Sequence, residues 1–154
     1  MIKGECIEIV DTWKYLGFNI QSGKQFSFSA QPELMSFYSA SNCIINVLYK
    51  PSEEVLMKLL YSNCVSILTY GCQVKEFLTR DMSKMNVAIN DSVRKIFGWQ
   101  RWESVRTLRE SMGYRSIYEI FEWQKRSFLM NTYLSDNEVL QRLIVLFYPT
   151  VINV

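Results

Sequence analysis

Between Thr79 and Gly98 the apolar residues Met82, Met85, Ile89, Val93 and Ile96 recur at steps of 3, 4, 4 and 3. Only an α-helix brings side chains back to one face at that period, so this stretch is expected to be a helix with a single apolar stripe that needs partners. Thr79 is a suitable N-cap and Gly98 a suitable stop. The partners are legible on both sides. After Pro32, the residues Leu34, Phe37, Tyr38, Ser41, Ile44, Ile45 and Leu48 share a face, and Lys50-Pro51 ends the run, which predicts a helix over about 31 to 49. From Ser52 the set Val55, Leu56, Leu59, Leu60, Ile67 and Leu68 predicts a second helix up to Gly71.

Downstream, Ser104 opens a short helix that turns Val105, Leu108 and Met112 inward and Arg106 and Arg109 outward, with Gly113 as its left-handed terminator. Ser116 and Glu119 form a capping box for the next helix, and Ser135 and Glu138 form a second box for a last helix through about Phe147. The N-terminus reads differently. Cys6 to Val10 and Trp13 to Ile20 are rich in β-branched and aromatic residues and flank Asp11-Thr12, which predicts strand, turn, strand. The expected fold is therefore mainly α: a bundle of five to six helices over residues 25–154, preceded by a β-hairpin over residues 1–24. The aromatic residues Phe37, Tyr38, Phe121 and Phe128 are expected in its core.

Composition narrows the chemistry. The chain has 154 residues and no His, which removes Ser-His-Asp and Cys-His catalysis and imidazole zinc sites. Cys6, Cys43, Cys64 and Cys72 form no Cys-x-x-Cys pair and are expected as buried thiols in a reducing compartment. The uncharged stretches Leu34 to Tyr49 and Leu59 to Val74 are too short to span a bilayer, and no apolar leader opens the chain, so an intracellular protein of cytoplasm or nucleus is expected, with no membrane partner. No catalytic residue, metal ligand or cofactor site stands out. Glu53-Glu54 occupies a helix first turn, where the macrodipole favours acids, and no Asp-Asp or Asp-x-Asp pair occurs.

Charge is unevenly placed. The net charge is +2, yet residues 94–126 carry 8 basic and 4 acidic side chains. Within this segment Arg94, Lys95, Arg101, Arg106, Arg109 and Arg115 are interleaved with Trp99, Trp102 and Tyr114, a mixture suited to phosphate contacts beside aromatic packing. A solvated basic helix face has the same composition.

The run Trp13-Lys14-Tyr15-Leu16-Gly17-Phe18 resembles the aromatic-Lys-Tyr-Leu-Gly strand of reverse transcriptases of non-LTR (LINE-like) retrotransposons. Leu59-Leu60-Tyr61, Ile67 to Cys72 and Ser92 to Gly98 follow in the order and spacing of that family, up to about residue 134. The resemblance implies a palm-edge primer grip at Lys14, Tyr15, Leu16 and Gly17, followed by a thumb that holds the template-primer duplex. It implies sequence-independent contact with an RNA–DNA or RNA duplex, and the palm and fingers of a parent polymerase as neighbours. The family's Mg²⁺-binding aromatic-x-Asp-Asp motif is not present in these residues. The chain is expected to be a polymerase fragment, inactive on its own. The rival expectation is a helical protein-interaction or structural domain with no nucleic-acid role.

Overall fold

In a computed structural model the protein is described at residues 10–15, 18–22, 27–46 and 51–148. Strand β1 (Thr12–Tyr15) pairs antiparallel with β2 (Phe18–Gln21), and β2 pairs antiparallel with β3 (Ser27–Phe28). Tyr15 is the partner of Phe18 and Thr12 of Gln21, so the chain reverses between Tyr15 and Phe18. Thr12 thus belongs to β1, the stretch expected as one strand from Trp13 to Ile20 is divided between two, and the sheet is a three-stranded meander that runs past residue 24. The strand expected from Cys6 falls outside the described residues except for Val10, as do Leu16 and Gly17.

The remainder is helical, as the periodicity requires: α1 (Gln31–Ile45), α2 (Glu53–Leu59), a π-helical turn (Leu60–Val65), α3 (Ser66–Thr69), α4 (Thr79–Phe97), α5 (Arg106–Ser111), α6 (Ile117–Tyr133) and α7 (Glu138–Phe147). Because α2, the π turn and α3 run on without a break, these elements make six rods. Helix α4 is the centre of the core. Met85, Ala88, Ile89, Val93 and Ile96 are buried against Leu34 and Phe37 of α1, Leu56 and Met57 of α2, Val105 before α5, and Ile117 and Phe121 of α6. Met82 packs at the edge of that cluster.

The second rod keeps part of its expected face: Leu56, Leu60 and Leu68 are buried, but Val55 is exposed and Met57 is buried, and in the wide π turn Cys64 and Val65 join the core. Helix ends follow local chemistry more closely. The Ser116 hydroxyl accepts from the Glu119 N–H at 3.2 Å, and Glu119 Oε2 accepts from the Ser116 N–H at 2.6 Å, which completes the expected box. That backbone donor, followed by the Ser116 hydroxyl, holds the Glu119 carboxyl below the usual carboxylate range. For α7 the cap is Asn137, whose Oδ1 accepts from the N–H groups of Val139 and Leu140, and not Ser135. Val105, and not Ser104, precedes α5.

Other expectations need correction. Phe37 and Phe121 are core residues, whereas Tyr38 and Phe128 are exposed. Cys64 and Cys72 are buried thiols but Cys43 is exposed, and burial raises the Cys72 pKa to about 11. Among the described residues no helix is long and apolar enough to cross a membrane.

Candidate nucleic-acid interface

The basic residues singled out from the sequence separate into three settings. Gly98 ends α4 at φ +66°, a left-handed conformation, and lets the Trp99 N–H return to the Arg94 carbonyl at 2.9 Å. The chain then doubles back beside the last turn of α4. Arg94 pins that return: its Nη1 donates to Asp91 Oδ1 at 2.9 Å and its Nε to the Glu103 carbonyl at 3.1 Å. Glu103 Oε2 in turn accepts from the Gln100 N–H at 3.1 Å. The result is a groove of about 510 Å³ between α1 and α4, with Tyr38, Lys95, Trp99 and Arg101 around it and the Asp91–Arg94 pair at its side. Lys95 and Arg101 are exposed there, and Lys95 Nζ also donates to Asn42 Oδ1 on α1 at 3.4 Å.

A second group stands apart from the groove. Arg106 is exposed and paired with Glu110 at 2.8 Å, an i,i+4 contact that raises the already high pKa of the guanidinium. Arg115 is exposed with its guanidinium 5.4 Å from the centre of the Trp123 ring.

Arg109 overturns the expectation that both α5 arginines face outward. It is only 8% exposed. The short helix is rotated so that the Val105–Arg109 row is innermost, while Leu108 and Met112 lie at the core's edge. Arg109 Nη1 donates to Asn90 Oδ1 of α4 at 3.5 Å, and its Nε is buried without a partner. Beside it is Tyr61, brought there by the π turn and stacked on Tyr114 with ring centroids 4.2 Å apart. Gly113, at φ +74°, allows the Tyr114 N–H to reach the Arg109 carbonyl at 2.9 Å and so places that ring. Burial pushes the Tyr61 phenol up to about 12, and the Arg109 charge acts in the opposite direction. Arg109 is thus a structural cation and offers no open surface to a phosphate.

The hairpin residues lie elsewhere on the molecule. Lys14 and Tyr15 are exposed on β1, and Lys14 lines a cleft of about 520 Å³ with Glu33 and Ser36 of α1 and Ser66, Ile67 and Tyr70. Beneath this cleft Glu33 Oε1 accepts from Lys75 Nζ at 2.5 Å, and the Lys75 side chain is 1% exposed. Nothing in the pattern around Lys75 announces a buried cation, since its partner is 42 residues away.

Among the described residues no three His, Cys, Asp or Glu side chains converge. Comparison with family models, characterised proteins and solved structures gives no match. The site therefore rests on its own geometry: two exposed cations and two aromatic rings around one groove. Trp99 and the cations were legible as a basic-aromatic segment. Tyr38 was missed because it directly follows the core residue Phe37, and adjacent helix positions point about 100° apart, so only one of them can be central to the stripe.

Proposed function

We propose that this chain is a nucleic-acid-holding helical region akin to the thumb of reverse transcriptases of non-LTR retrotransposons. Its role is to grip the backbone of an RNA–DNA or RNA duplex without reading sequence, and not to polymerise. The observation that carries this reading is the groove at the end of α4, where Lys95 and Arg101 are exposed beside Trp99. Cations placed on a rigid helix end and a pinned turn neutralise phosphates and release counterions, which favours binding to any sequence alike. The sheet supports the same reading, because Trp13 and Tyr15 on β1 offer exposed aromatic surface to the palm and fingers of a parent polymerase. Such a protein works in the cytoplasm or nucleus, where Cys64 and Cys72 remain thiols.

The test is a salt series of binding to a labelled RNA–DNA duplex. Lys95→Gln with Arg101→Gln is expected to weaken binding equally for unrelated sequences and to reduce the slope of log K against log salt by about two. An unchanged slope would sink the reading. Primer extension with Mg²⁺ is expected to stay at background, since no pair of aspartates is available to hold the ions.

A second reading, a helical protein-interaction or structural domain, has one observation behind it. Val139, Leu146 and Phe147 of α7 are largely exposed and only Ile144 of that helix is buried. It requires that the duplex fail to bind even at low salt.

A further inference from the structure

A clamp that holds duplex backbone needs cations, but it has no use for aromatic walls, and the groove between α1 and α4 has both. Tyr38 is 41% exposed, and its ring meets the buried Phe37 ring edge-on with centroids 5.8 Å apart. Trp99 leans on Phe97 with centroids 5.7 Å apart. Each wall is thus braced from behind by a ring tied into the core, so stacking a flat ligand on it costs little further side-chain freedom. At about 510 Å³ the groove is of small-molecule size. Asp91 does not repel an anion strongly there, because Arg94 neutralises it at 2.9 Å and leaves Lys95 and Arg101 as the uncompensated rim.

A base inside a duplex has both faces covered by its neighbours and cannot stack on a protein ring. An unpaired base offers both faces, and every base has them, so such stacking does not depend on sequence. Building on the reading that this end of the molecule binds nucleic acid, we propose that the Tyr38–Trp99 groove receives an unpaired nucleotide at the single-stranded edge of a duplex. Its base lies on the aromatic walls and its phosphates lie at Lys95 and Arg101. Trp102, 82% exposed and next to Arg101 in the chain, extends the stacking surface for a further base.

Three labelled probes test this on the full chain: a blunt RNA–DNA duplex, the same duplex with a short unpaired extension, and the extended duplex with abasic sites in place of the extension's bases. The natural extension is expected to tighten binding about fivefold or more over the blunt duplex, and the abasic one to lose most of that gain although its phosphates remain. Trp99→Ala and Tyr38→Ala should each lower the ratio of extended-duplex to blunt-duplex affinity, each variant being read against its own blunt-duplex affinity, and Trp99→Phe should restore that ratio in part. Should Trp99→Ala fail to fold, Tyr38→Ala, at an exposed helix position, still decides. Equal affinity for blunt and extended duplex, or an abasic extension as good as the natural one, overturns the proposal and leaves the clamp reading standing. Failure to bind any probe at low salt overturns both.

Discussion

The exposed surface of the helices and their interior hold the same kind of side chain in opposite surroundings. On the surface, Lys95 and Arg101 at the groove rim and Arg106 apart from it reach water, and the Arg106–Glu110 pair joins side chains that are both more than half exposed. Such a pair is worth little, because solvent screens it and ordering two long side chains costs entropy. In the interior, Lys75 lies against Glu33 and Arg109 lies between Asn90 and Tyr61, each with its charge removed from water. There the partners matter more than the charge, since an uncompensated buried ion is costly. Equal charges thus act in two roles: rim cations are free to meet a ligand, and interior cations hold the helices to one another.

The comparison breaks most visibly at Glu33. Glu33→Ala should leave Lys75 buried without this partner and cost about 3–5 kcal/mol in urea unfolding. A loss under about 1 kcal/mol would place Lys75 with the rim residues. Arg109→Ala should come next, at about 1–3 kcal/mol, because it strips Asn90 and the Tyr61 hydroxyl of a buried polar neighbour.

Tyr61 sharpens the contrast through pH. Its phenol is neutral when protonated, ionises at the ordinary 10 in the unfolded chain and at about 12 in the folded one. The stabilisation is therefore complete below pH 10 and is lost as the pH rises from 10 towards 12. Tyr61→Phe should flatten this fall in stability, and ultraviolet titration of the native chain should lose, in that variant, a tyrosine ionisation near pH 12. The smallest effect is expected at the surface. Arg106→Ala should change stability by no more than about 0.5 kcal/mol, measured by the same unfolding experiment as Arg109→Ala. Equal losses from the two arginines would erase the distinction between the regions.

Much of the framework was readable before the structure. The stripe of α4, the Ser116–Glu119 box and the glycine stops at 98 and 113 follow from hydrogen bonds and side-chain spacing within one or two turns. The basic-aromatic segment was also visible, and Lys95, Trp99 and Arg101 do meet in one groove. What could not be read was the flank on which a side chain lies. The pattern Val105, Leu108, Met112 fits two rotations of a six-residue helix, and the one adopted puts Arg109 inside.

By itself the chain's order of residues determined which stretches are helical, the apolar stripe of α4, the box that starts α6 and the glycine stops, because those choices are settled among neighbours in sequence. Tertiary structure decided the rest. The π turn that aims Tyr61, the Lys75–Glu33 pair across 42 residues, the Arg109–Asn90 contact across 19 and the Lys95–Asn42 contact across 53 all depend on which rods pack together. Burial is a property of two surfaces in contact, and no local pattern on one helix specifies the surface that will cover it.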